Sequence, residues 1–461
     1  MKQQTNVDKY TEAYLTALFQ RLDELDIQYC VFHSYEELPK VSSDVDIAIQ
    51  QSKLHLLDNI MQELEDKTGF RIVRKLHHGY ESYAYFLYNT SLRPPLFLKI
   101  DFWTNYNRRR SNLYCSNKML LNKRRLYANM CYIMAPEVEA TYLILRRILK
   151  EELRENEKQK LVSLYTEHWD AIRNYVQSYV GSSTAQTIKE LITGQSWHQL
   201  NAKLHDFKRI LFWRYLFRHP FITVRYWCYE LCRAIQRISK PVGVMVVLLG
   251  PDGSGKTSVA RQIVEQVQPA FATQHLHWRP GFLPQLSRLF SKKKDYLALD
   301  SYEQPHQALR YGTFSSLIRF FYYATDFILG YYLKLRRAKV KGALLVIERY
   351  YYDILVDPIR YGFQLPRWLP RLLMRFIPKP DIVIYLHNSP EKLYARKQEL
   401  TIKELTRQIS EFKVLLPKLP NSHKVETNKS LEEVVHEAIG IILDFMAQCV
   451  KSRLQPMTVG K

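Results

Sequence analysis

The densest chemistry in the sequence lies at positions 250–257, GPDGSGKT. Gly250, Gly253 and Gly255 let the backbone curl so that successive N–H groups face phosphate oxygens. Lys256 has the reach to meet β- and γ-phosphates, and the Thr257 hydroxyl can ligate Mg²⁺. Asp252, Ser254 and Ser258 complete the candidate lining. Downstream, Glu348 and Arg349 stand side by side. A carboxylate there can hold Mg²⁺ through water or orient an acceptor, and a guanidinium can contact a phosphoryl group in transfer. Arg396, Lys397 and Arg407 occupy a polar stretch where a closing segment can carry cations onto phosphates. For Arg396 and Arg407 a solvated surface role is the alternative. Arg279 and Arg360 are candidates to grip an anionic acceptor group. Asp326, set among aromatics, either contacts that acceptor or caps a polar face.

A second constellation sits near the start of the chain. Asp44 and Asp46 alternate along DVDIAI, which places both carboxylates on one face of a strand. Asp101, from the later run KIDF, can supply a third carboxylate. Three clustered carboxylates repel one another unless a cation joins them, so a Mg²⁺ site for a nucleoside triphosphate is expected here, with an architectural role as the alternative.

The elements that position these residues follow from periodicity. Residues 29–32, 44–49, 70–75, 80–87 and 96–102 read as strands and 8–27 and 54–67 as helices, and from 136 the spacing is helical. Residues 1–133 are read as a mixed α/β domain and 134–204 as a helical bundle. Residues 205–240 form a connector dense in aromatics and arginines, and 241–461 a third unit. In that unit strands at 242–249, 274–278, 343–348, 381–387 and 423–427 alternate with helices, as a three-layer parallel sheet requires. The loop at 250–257 leaves a buried strand and enters a helix at 258–267, the context in which such a glycine loop binds phosphate. The fold class is α/β throughout.

Residues 241–450 resemble the thymidylate kinase branch of the nucleoside monophosphate kinases, a P-loop NTPase fold. The resemblance is carried by GPDGSGKT at 250–257, ERYYYD at 348–353, PDIVIYL at 380–386, PE at 390–391 and RK at 396–397. It implies ATP and Mg²⁺ as cofactors and transfer of the γ-phosphate, with Lys256, Glu348, Arg349 and Arg396 in catalytic roles. That family usually has Asp-Arg where this chain has Glu348-Arg349. Its nucleotide-base pocket does not map onto this chain residue by residue, which leaves nucleotide, sugar and lipid-linked acceptors open. Residues 25–150 resemble the nucleotidyltransferase superfamily of DNA polymerase β, through Ser34, Asp44-Val45-Asp46 and Asp101. His33 stands where that superfamily has glycine.

Bulk properties narrow the partners. With 67 Lys and Arg against 45 Asp and Glu the formal charge is +22, which attracts phosphates, nucleic acid or anionic lipid. No nucleic-acid recognition motif is present. In 205–240 a stripe at 224, 227, 228, 231, 235 and 238 fits either helices packed on a domain or a helix lying on an anionic membrane. The six cysteines show no zinc spacing, and the first residues lack the apolar core of a secretion signal. A cytoplasmic location is expected, with peripheral contact to the inner face of the membrane through 205–240 as the alternative. Two competing functions stand beside a kinase. In one, nucleotidyl transfer occurs at Asp44, Asp46 and Asp101 while the kinase-like unit senses ATP. In the other, ATP switches a binding protein of membrane or nucleic acid.

Overall fold

A computed structural model describes residues 2–33, 35–38, 44–79, 82–89, 92–93, 95–104, 117–218, 220–268, 270–284 and 312–454. Ser34, Cys115 and the basic runs at 108–110 and 292–294 lie outside the described residues. The chain divides into two compact units, one built mainly from the first 236 residues and the other from Arg237–Met457.

In the first unit seven strands form one sheet: β1 (Tyr29–His33), β2 (Asp44–Ile49), β3 (Arg71–Gly79), β4 (Ser82–Asn89), β5 (Leu96–Trp103), β6 (Arg125–Tyr127) and β7 (Cys131–Ile133). The spatial order is β3-β4-β5-β2-β1-β7-β6. β2 and β5 run parallel and in register, so Asp46 pairs directly with Asp101. The expected strands at 29–32, 44–49 and 96–102 are present with ends moved by a residue at most. The helix expected from 54 starts at Leu57, because Gln51–Leu56 coils more tightly as a 3₁₀ turn. β6 and β7 carry no sequence signal, being three residues each with too short a period to read.

Five helices follow, the first at Pro136–Lys150 and the last at Trp197–Arg218. Pro136 occupies the first turn of its helix, where its missing N–H costs nothing, and Glu137 and Glu139 face the positive end of the dipole. Their apolar stripes close one core around Ile144, Ile148, Tyr165, Ile172 and Ile188. The expected connector, 205–240, is helical, but its first helix, Trp197–Arg218, starts within the expected bundle and packs Leu200, Leu204, Phe207 and Leu211 into the bundle core. Trp197–Arg218 ends just before Pro220, which opens a second helix, Pro220–Ser239.

The second unit is a five-stranded parallel sheet: β8 (Val244–Leu249), β9 (Thr273–His277), β10 (Leu344–Glu348), β11 (Ile382–His387) and β12 (Ser422–Glu426). The order is β12-β11-β8-β10-β9. All five strands appear where alternation of strand and helix predicts them. β8 is buried along its whole length, which its unbroken apolar run requires. β10 and β11 flank β8, so the connections leaving β8 and β10 part to opposite sides. In open α/β sheets ligands bind at such a switch point, here the carboxyl end of β8.

Candidate active site

The loop 250–257 leaves that carboxyl end and runs into the helix Lys256–Val267. Its glycines are required by geometry. Gly250 has φ 153°, and a Cβ there would lie 2.6 Å from the Leu386 carbonyl oxygen and 2.7 Å from Ser254 Oγ. Gly253 has φ 80°, and its Cβ would lie 2.7 Å from the Leu393 carbonyl oxygen. Gly255 has open space around it but holds φ 84°, left-handed backbone that L side chains rarely adopt. Ser254 Oγ is buried with no hydrogen-bond partner. Lys256 is buried too; its Nζ donates to the Gly250 and Pro251 carbonyls at 2.7 and 2.8 Å and lies 3.9 Å from Asp252 Oδ1. Burial and the neighbouring Arg349 charge hold its ammonium down to about 8, although Asp252 works the other way. These are the features of a cradle that fits a polyphosphate: amides around a curled backbone, a buried hydroxyl without a hydrogen-bond partner and a buried cation.

β10 brings the second half of the site alongside. Glu348 lies in register with Leu248 on one side and His277 on the other. The Thr257 hydroxyl donates to Glu348 Oε2 at 2.7 Å, so the loop and the carboxylate converge on one point. His275 Nε2 lies 2.6 Å from Oε1, and His277 Nδ1 lies 3.7 Å from Oε2. Burial opposes ionisation of Glu348, yet hydrogen bonds from His277, Thr257 and His275 outweigh it and hold the carboxyl at about 2. An ionised carboxylate beside a threonine hydroxyl is a donor set suited to Mg²⁺.

Arg349 has φ 68° and is nearly buried. Its guanidinium bonds Asp252 of the loop and reaches Asp353 Oδ2 at 3.2 Å. Arg360 bonds the other oxygen of Asp252. Burial disfavours the Asp252 anion, but Arg349, Lys256 and Arg360 together keep its carboxyl well below the usual carboxylate range. Asp252 thus ties the loop to both arginines. Arg396 donates to the Thr427 carbonyl oxygen at 2.6 Å, and its helix, Pro390–Arg396, ends against Gly253.

For the remaining expected residues the structure distinguishes between the roles their sequence context allows. Asp326 is fully buried and accepts from the Gly281, Phe282 and Leu283 amides at 3.1, 2.8 and 2.6 Å. Arg279 donates to the same carboxylate at 3.0 Å. Asp326 is therefore the polar cap of a turn, not an acceptor contact, because its oxygens are taken up by that turn. Arg407 pairs with Glu404 on its own helix and donates to the Val356 carbonyl at 3.0 Å, which fixes it to the body of the unit and not to a closing segment. Trp278 and Tyr361 stack at 4.6 Å, so Arg279 and Arg360, their chain neighbours, belong to adjoining segments. His275 and His277 are functional candidates that sequence reasoning missed. Their alternation along HLH, facing a strand that ends in glutamate, was the available signal.

In the first unit, one ligand oxygen from each of Asp44, Asp46 and Asp101 lies within 4.8 Å of the others. Lys99 Nζ reaches Asp44 at 2.9 Å and Asp101 at 2.6 Å, and Trp103 Nε1 donates to Asp46 at 2.8 Å. Burial, then the charges of Asp101 and Asp44, push the Asp46 carboxyl up to about 7. The three carboxylates expected to meet do meet, with an ammonium between two of them. Such a cluster can hold a divalent cation.

No protein-family model matches the chain. In sequence it is similar to the thymidylate kinase of Xanthomonas oryzae pv. oryzae strain PXO99A, 23% identical over 228 residues, or 48% of this chain and 92% of the relative. The thymidylate kinases of strains MAFF 311018 and KACC10331 / KXO85 give the same figures. Among solved structures, thymidylate kinase from Ehrlichia chaffeensis aligns at 14% identity with a TM-score of 0.31, over 43% of this chain and 98% of that one. Thymidylate kinase from Candida albicans aligns at 16% identity with a TM-score of 0.33, over 44% and 93%. None of the described helices is long and apolar enough to cross a membrane.

Proposed function

We propose that this chain is an ATP-dependent phosphotransferase of the nucleotide kinase type, acting at the crevice beyond β8. The observation that carries this reading is the 2.7 Å hydrogen bond from Thr257 to Glu348, which joins the phosphate cradle to a carboxylate on the neighbouring strand. Similarity to thymidylate kinases supports it. When bound, ATP supplies the γ-phosphoryl group and Mg²⁺ offsets charge on its β- and γ-oxygens. The loop amides of Gly250 and of Asp252 to Ser258 hold the phosphates. Lys256 leaves its carbonyl partners and neutralises the transferring end. Thr257 and Glu348 hold the cation, and His275 and His277 keep Glu348 ionised and oriented. Arg349, aimed by Asp252 and Asp353, stabilises charge on the group in transfer. Arg396 steadies the segment over the loop, while Arg279 and Arg360 grip an anionic acceptor. A nucleoside monophosphate is the first acceptor to test, and sugar phosphates and lipid-linked phosphates follow. Incubation with ATP labelled at the γ-position, Mg²⁺ and this panel is expected to label one acceptor class. Label appearing only as free phosphate with every acceptor would overturn the assignment.

The cluster of Asp44, Asp46 and Asp101 favours a second reading for the first unit, a nucleotidyltransferase-like site holding Mg²⁺ and a nucleoside triphosphate. Lys99 serves there as an internal counter-ion until a divalent cation takes its place.

A further inference from the structure

A helix in a globular protein normally packs its apolar stripe inward and leaves its polar face in water. The helix Pro220–Ser239 does the reverse. Its contacts with the first sheet are polar: Tyr229 Oη meets His77 Nε2 at 2.6 Å, and Arg233 donates to the His77 carbonyl at 3.2 Å. Arg233 is buried there and also pairs with Glu230. On the opposite side, Phe221, Val224, Trp227, Leu231, Ile235 and Ile238 recur at three- and four-residue spacing, each between 55% and 86% exposed. The preceding helix adds Trp213 and Phe217, stacked at 5.9 Å and exposed. A contiguous apolar face of this kind marks a contact with something else.

The charge around it says what. From 211 to 240 the sequence has six Lys and Arg and one acid, Glu230, which is engaged by Arg233. Arg218, Arg225 and Lys240 are exposed beside the stripe. Aromatic and aliphatic side chains on one face, arginines along its borders and few acids form the pattern of a helix that lies in a lipid interface. Arginine stems extend along such a surface while their heads meet lipid phosphates. The helix has too little apolar length to span, so it lies flat. We propose that the outward face of Pro220–Ser239 docks this protein on an anionic lipid surface. This goes beyond the phosphotransferase reading and does not depend on it.

The test is sedimentation of the full chain with phosphatidylcholine vesicles, with and without phosphatidylglycerol, at low and high salt. The wild type is expected to sediment only with the anionic vesicles and less at high salt. The paired substitution Trp227→Ser and Leu231→Ser should lower the partition at least about tenfold with the melting temperature unchanged, because both side chains already face solvent. Equal partition of the variant, or no sedimentation of the wild type with anionic vesicles, would overturn the proposal. So would a large fall in melting temperature, which would place the stripe against protein. A wild-type dimer by light scattering that the double variant abolishes, without vesicle binding, would assign the face to a second copy instead.

Discussion

Arg349 and Tyr350 adopt φ of 68° and 35°, backbone that side chains with a Cβ rarely occupy and that the surroundings must over-determine. The Arg349 amide still donates to Leu248 at 3.0 Å, continuing the ladder past the end of β10, while its guanidinium lies between Asp252 and Asp353. Strain and buried ion pairs thus coincide beside the glycine loop 250–257. The sequence announced the glycines, Lys256, Thr257, Glu348 and Arg349, because motif spacing encodes them. It did not announce Asp252 as the tie between the loop and two arginines, since that depends on which loops the sheet brings together. At the other candidate site, Asp46 is raised toward neutrality by burial and by two like charges. Asp46→Asn removes that repulsion, so the cation-free protein should melt roughly 2–4 °C higher. The same change should weaken Mn²⁺ binding at least about tenfold, because it deletes a charged ligand. Calorimetry with and without Mn²⁺ reads both effects, and a variant that melts lower and binds Mn²⁺ as before would contradict a carboxylate metal site.

Among the elements, the parallel sheet was the most legible, because its three central strands, β8, β10 and β11, are buried, largely apolar runs separated by helices, which leaves little choice of topology. The turn after β9 was the least legible. Its shape is set by Asp326, which lies more than forty residues away on the helix Thr313–Gly330 and draws three amides and Arg279 onto one carboxylate. Gly330, where this helix passes into the wider turn Tyr331–Leu335, lets the chain pass close to that turn. A Cβ at Gly330 would lie 2.6 Å from the Pro280 Cβ and 3.2 Å from the Phe282 Cβ. Gly330→Ala should therefore cost roughly 1–3 kcal/mol by overpacking and shift the turn that carries Arg279. Steady-state kinetics should show a higher KM for the acceptor with KM for ATP unchanged. An unchanged acceptor KM would remove this turn from the acceptor site.

At the scale of the whole molecule, two units with separate cores carry one candidate site each. The formal charge of +22 suits the anionic partners proposed for the two clusters and for the exposed helix. Similarity to thymidylate kinases extends over about half the chain, so the chemistry of one unit has a precedent among relatives while that of the other stands on its carboxylates alone. In the reading proposed above, the buried Lys256 in the curled loop beyond β8 supports phosphoryl transfer. The most direct test is single-turnover transfer from γ-labelled ATP by the full chain and by Lys256→Ala, with the fold of each checked by melting. The wild type should form labelled acceptor, and the variant should lose at least about a thousandfold in rate while melting as a folded protein. A folded Lys256→Ala protein that transfers label at the wild-type rate would contradict the account.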